Sequence, residues 1–171
     1  MNMEPLGELT PHPRIDGWWM SEEVSVGYFP DTPLRIVLQG FAGDSTPAEF
    51  VAAVINFLAL TVEDRAEAIP CVFKNYTDFV EDVGDDELDF VIDASAEVWA
   101  HVHPSEVHVL RRAYGDRKVY VTVSANCDWE EEHGLQIVYR EGKQLNRVSA
   151  QDGHVTHADA YGLPEDEDRI C

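Results

Sequence analysis

The chain has 171 residues, with 12 Lys and Arg against 33 Asp and Glu, for a formal net charge of −21. A hydrophobic fraction of 44%, with seven Phe, six Tyr and four Trp, excludes a disordered chain and supports a sizeable core. The negative charge opposes binding to nucleic acid or anionic lipid, and the longest apolar run falls far short of a membrane span.

Residues 1–16, MNMEPLGELTPHPRID, hold three prolines and read as an irregular lead-in, without the basic and apolar regions of a signal peptide. EVSVGYF (23–29) and LRIVLQGF (34–41) alternate apolar and polar residues. With Pro30-Asp31-Thr32-Pro33 between them they predict a hairpin closed by a four-residue loop. Trp18 and Trp19 belong to an earlier strand or to a rim.

The period then changes. Thr46-Pro47-Ala48-Glu49 has the residues of a helix start with a capping box, and Phe50, Val51, Val54, Ile55 and Leu58 follow at helical spacing. Thr61 opens a second helical segment, with Glu63 and Asp64 in its first turn and a kink or restart expected at Pro70. Val72, Phe73, Tyr76, Phe79 and Val80 form its buried stripe, and Gly84-Asp85-Asp86 ends it. A shorter helix is expected near 87–102, with Val98, Trp99 and Val102 inward and His103-Pro104 as its stop.

From residue 105 the pattern is strand-like. SEVHVLRR (105–112) turns at Gly115-Asp116 into RKVYVTVSA (117–125), where Val119, Val121 and Val123 face one way and Tyr120, Thr122 and Ser124 the other. LQIVYR (135–140), a turn at Glu141-Gly142 and KQLNRVSA (143–150) follow. Asp152-Gly153 then signals a hairpin into a strand over 154–160. The expected fold is one α+β domain over 17–163: an N-terminal β-hairpin, two to three central helices and a C-terminal antiparallel β-meander. Residues 164–171 form an acidic C-terminal tail expected to fray.

The three cysteines, Cys71, Cys127 and Cys171, match no zinc or CxxC spacing and read as reduced thiols of a cytoplasmic protein. Asp128, Glu130, Glu131, Glu132 and His133 crowd between two predicted strands. Two such carboxylates have the composition of an acid–base pair, and a carboxylate with His133 that of a metal site. The competing reading is a solvated corner pinned by Trp129, with Gly134 supplying an unusual backbone conformation. His101, His103 and His108 lie close in sequence, and His154 and His157 lie near Asp152 and Asp159. On one strand, however, His154 and His157 point to opposite faces, which argues against a shared metal. The acidic run from Glu81 to Asp89 lacks the ladder of a calcium loop and reads as a solvated connection or a docking face. Arg111, Arg112, Arg117 and Lys118 flank the Gly115 turn, where offsetting nearby acid is favoured over binding phosphate.

The segment CDWEEEHGLQIVYREGKQLNRVSAQDGHVTHADA (127–160) resembles a bacterial domain family of unknown function. In that family a Cys-Asp-Trp-Glu-x-Glu-His-Gly-Leu run precedes a two-strand hairpin and an Asp-Gly turn. TPAEFVAAVINFL and the VW…VHPSEVHV region are similar to it as well, so the likeness covers most of residues 20–162. Its members are small cytoplasmic bacterial proteins, some of which look like immunity or accessory proteins of toxin systems. The resemblance implies that Asp128, Trp129, Glu130, His133 and Gly134 form a family-defining corner, and it carries over no catalytic residue.

The expected function is therefore that of a non-enzymatic cytoplasmic interaction protein. Its acidic surface, with Asp85, Asp86, Glu87 and Asp89, would bind a basic protein partner, with a toxin as the expected class. Trp18 and Trp19 are candidate anchors, and equally candidate core residues. The alternatives are a metal-assisted hydrolase, using the Asp128–His133 corner or His154 and His157, and a nucleic-acid mimic. No cofactor, metal, nucleic-acid or membrane partner is expected.

Overall fold

The computed structural model describes residues 1–84 and 88–171. The two longest helices, α1 (Pro47–Leu58) and α2 (Arg65–Val83), connect two groups of strands. β1 (Asn2–Met3), β2 (Gly7–Glu8), β3 (Thr10–Pro11), β4 (Trp18–Val26) and β5 (Phe29–Gln39) precede them. β6 (Val102–Arg111), β7 (Val119–Cys127), β8 (Glu130–Arg140), β9 (Gln144–Ala150) and the short helix α3 (His157–Tyr161) follow. β1 and β2 pair with each other, and the other seven strands form one sheet in the order β3-β4-β5-β6-β7-β8-β9. Every neighbouring pair is antiparallel except β5 and β6. A parallel pair needs a long crossover, and the helical middle of the chain supplies it.

The α+β class is as expected, and alternation explains the layers. Ile36, Leu38, Val107, Val109, Val121, Val123 and Ile137 bury one face of the sheet against Phe50, Val54, Phe57 and Val72 of the helices. On the other face Tyr120 and Val138 pack under Val155. The lead-in joins the fold through Met3, Leu6 and Leu9, all buried in the main core.

Several expectations are corrected. The first hairpin turns at Gly27-Tyr28, and Pro30–Pro33 form a bulge within β5. Thr46 and Glu49 make no side-chain cap; Glu49 pairs instead with Arg111. Helix α2 is unbroken at Pro70, and in place of a helix near 87–102 the described part holds one 3-10 segment, Ser95–His101. His103 and Pro104 lie in β6. The strand expected over 154–160 is replaced by α3, because the Thr156 hydroxyl accepts from Asp159 N and caps a helix there.

The tail does not fray, and two of the cysteines are not free. Val148 N donates to Ile170 O at 2.8 Å, Asp168 accepts from Ala158 N, and Cys171 forms a disulfide with Cys71 of α2. A separation of 100 residues leaves no local signature of that pairing in the sequence.

Candidate functional site

The Asp128-Trp129 turn joins β7 to β8, with Cys127 paired to Glu130 across it. A two-residue turn sends its side chains in divergent directions, and here they serve different environments. Trp129 is 2% exposed; its Nε1 donates to Asn75 Oδ1 of α2 at 3.0 Å, and its ring meets Tyr76 edge-on. Trp129 packs inward from the corner, as the sequence reading expects, but its hydrogen bond and its aromatic contact go to α2 where that reading placed it on the sheet.

Asp128 faces outward between two histidines. Its Oδ2 lies 3.0 Å from His101 Nδ1 and its Oδ1 lies 2.6 Å from His103 Nε2. Its backbone N–H donates to His101 O, and His101 stacks on Phe90 at 4.7 Å. Burial alone would raise the Asp128 carboxyl, but the hydrogen bonds from His103 and His101 outweigh it and hold the group below the usual carboxylate range. His101 ends the 3-10 segment and His103 lies in β6, and the change of backbone at Val102 brings both rings to Asp128.

Beyond the turn, four residues of β8, Glu131–Gly134, oppose the single residue Asn126 of β7. Glu130 organises this bulge by accepting from Glu132 N at 2.8 Å and from His133 N at 3.0 Å. Gly134 closes it at φ +65°, and a Cβ there would lie 2.5 Å from Ala125 O. Only glycine meets both conditions. Cys127 is buried, and burial pushes its thiol up to about 12, which removes it as a nucleophile at neutral pH.

A groove of about 620 Å³ runs between the second half of α2 and this bulge. Its walls carry Asp78, Asp82, Glu130, Glu131 and Glu132, with Phe79 and Val83 between them. Lys74 pairs with Asp78, whereas Asp82, Glu131 and Glu132 have no ion pair among the described residues. Sequence spacing does not reveal this gathering, since α2 and β8 are some fifty residues apart in the chain.

The other candidates are dispersed. Asp128 and His133 take different partners, His133 lying 3.3 Å from Glu130 at an exposed position. Asp85, Asp86 and Glu87 lie outside the described residues, and Asp89 is exposed. Trp18 and Trp19 begin β4, at the end of the sheet opposite this turn, and Trp19 packs against the core. His154 lies beside Asp152, and His157 opens α3. No cluster with metal-binding composition is found among the described residues. The basic residues mostly offset acid: Arg111 binds Asp44 and Glu49, Arg112 binds Asp159 and Glu165, and Lys118 lies beside Glu141.

No curated protein and no solved structure matches the chain. Residues 5–155 match the model of a domain of unknown function, DUF6985, and over that span the chain belongs to this family.

Proposed function

We propose that the protein is a non-enzymatic binding module whose acidic groove docks a basic segment of a partner protein. The observation that carries this reading is the convergence of Asp82, Glu131 and Glu132 on one groove with no cation to neutralise them among the described residues. Carboxylates held close together repel one another, and a Lys- or Arg-rich segment relieves that repulsion while the −21 net charge steers it in. Phe79 and Val83 give the partner's side-chain stems an apolar bed. The proposal moves the docking face from Asp85, Asp86, Glu87 and Asp89 to the α2–β8 groove. It also drops Trp18 and Trp19 as anchors, because they lie at the other end of the sheet. A toxin is the partner class that the family resemblance suggests, with the chain as its immunity-type inhibitor. The Cys71–Cys171 disulfide counts against a reduced, cytoplasmic setting, so location forms no part of the proposal.

The test is capture from native lysate at low salt, with the wild-type chain beside an Asp82→Asn/Glu131→Gln/Glu132→Gln variant. A basic protein retained by the first, released by salt and lost from the second supports the groove. Equal retention by both, or retention insensitive to salt, overturns it.

A further inference from the structure

The outer face of the sheet holds a second cavity, of about 310 Å³, far from the acidic groove in character. Its floor is the Thr122 and Ser124 pair of β7 with His108 of β6; Trp18 and Gln39 wall one side and Gln151 the other. No Asp, Glu, Lys or Arg lines it, in a chain where 26% of residues are charged. We propose that this cavity binds a small uncharged polyhydroxylated molecule, a single monosaccharide or a ligand of that size and hydroxyl pattern.

The polar groups here are fixed by the fold. Thr122 is flanked along β7 by Val121 and Val123, which face the core, so its own side chain must point to the outer face. On the same face Tyr120 and Val138, the latter paired across the ladder with Thr122, pack with Val155, while Thr122 itself lines the cavity. Thr122 is only 8% exposed, and neither its hydroxyl nor that of Ser124 makes a hydrogen bond among the described residues. Both hydroxyls line the cavity, Thr122 buried and Ser124 half-buried, so the pair offers directed donors and acceptors to whatever enters.

The surrounding groups are held in place. Gln151 Nε2 donates to Ala125 O at 2.9 Å, which leaves its carbonyl oxygen as an acceptor. His108 has Nδ1 at 3.2 Å from Gln39 Nε2 and Nε2 at 3.2 Å from Glu106. Burial holds the imidazole below its ordinary value, so the ring is neutral, with the proton on the nitrogen that faces Glu106. Trp18 is fixed edge-on between His12 and His108, at 5.7 Å and 6.0 Å. An aromatic wall beside amide and hydroxyl groups suits a ring with an apolar C–H face and a polar rim. A charged ligand would be desolvated here without a counter-charge, which is costly. The volume is at the small end of the range of about 300–1,000 Å³ typical of ligand sites, enough for one ring and too little for a chain of them.

The test is ligand-observed saturation-transfer NMR on the full chain, with glucose, galactose, N-acetylglucosamine and glucose 6-phosphate as probes. At least one neutral sugar should receive magnetisation from the protein, and the signal should fall about tenfold or more in Thr122→Val and in Trp18→Ala. Thr122→Val is nearly isosteric, so it carries the test should Trp18→Ala fail to fold; circular dichroism checks both. Absence of transfer to every neutral sugar overturns the proposal. So does transfer that survives Thr122→Val, or tighter binding of the phosphorylated sugar.

Discussion

Tyr28 and Trp129 occupy the same position in two hairpins built alike. Each is the second residue of a two-residue turn, Gly27-Tyr28 and Asp128-Trp129, closed by the pairs Val26–Phe29 and Cys127–Glu130. In each, one residue of the first strand then opposes four of the second, and pairing resumes at Val24–Leu34 and Ala125–Leu135. Because β4 and β7 run in the same direction, both turns lie at one end of the sheet. Both aromatic rings are buried, Tyr28 accepting from the Tyr139 hydroxyl at 2.9 Å and Trp129 donating to Asn75. The corner at 127–134 is therefore one of two copies of a device that staples a strand turn to the helical layer. Its proline-rich counterpart at 30–33 holds the one carboxylate Asp31, so the device does not require a run of them.

If that is its role, Trp129→Ala should cost about 3–5 kcal/mol, the range for emptying a large aromatic site. Trp129→Phe keeps most of the ring but strands Asn75, for a loss of about 1–3 kcal/mol. Urea unfolding with an unchanged slope would measure both. A loss well under 1 kcal/mol for Trp129→Ala would show that the corner is not a structural staple.

Gly134 and Gly153 make a controlled pair. Both have positive φ, +65° and +80°, but an added Cβ meets Ala125 O and Gln151 at Gly134 and nothing within 4 Å at Gly153. Gly153→Ala should cost roughly 1–2 kcal/mol, from backbone conformation alone. Gly134→Ala must also displace the bulge from β7, so its midpoint in urea should fall clearly further. Equal losses would mean that the bulge is loose.

What the sequence discloses follows from how local each cause is. The 119–125 alternation, the start of α1 at Pro47 and the end of α2 at Gly84 depend on neighbours in the chain, and the structure reproduces them. The Asp128 clamp depends on the 3-10 segment ending at His101 and on His103 entering β6 beside β7, a boundary set by strand pairing. The groove depends on α2 crossing beside β8, and the disulfide on the last residue returning to α2. Contacts of that range are set by packing, which single-sequence periodicity does not encode.

Acid should weaken the fold through identifiable groups. Hydrogen bonds from Arg111 hold the Asp44 carboxyl below its ordinary value, those from Arg112 do the same for Asp159, and His103 and His101 overcome burial at Asp128. A carboxyl depressed in the folded state contributes stability that is fully present above its unfolded value, about pH 3.9, and is lost as pH falls through the folded value. Stability should thus decline steadily below about pH 4, and Asp44→Asn should flatten part of that decline. Chemical denaturation across that range would show it; a variant with the same acid slope as wild type would remove Asp44 from the account.

The Cys71–Cys171 bond closes a loop with a sequence separation of 100, and it is here that redox state should show most clearly. In the chain-entropy model a loop of that length contributes about 4–5 kcal/mol, an upper figure because a reduced tail can still pack. Reductant should therefore lower the urea midpoint of wild type and leave a Cys71→Ser/Cys171→Ser variant unchanged. The bond also has a local consequence. β9 is the edge of the sheet, and Val148 N–H, facing outward, is covered by Ile170 O next to the disulfide. Releasing Cys171 should uncover that edge, so the Val148 amide should exchange with solvent much faster on reduction, while Ile137 and Val121 in the centre change only with global stability. Continued protection of Val148 after reduction would show that packing of Ile170, and not the disulfide, closes the edge.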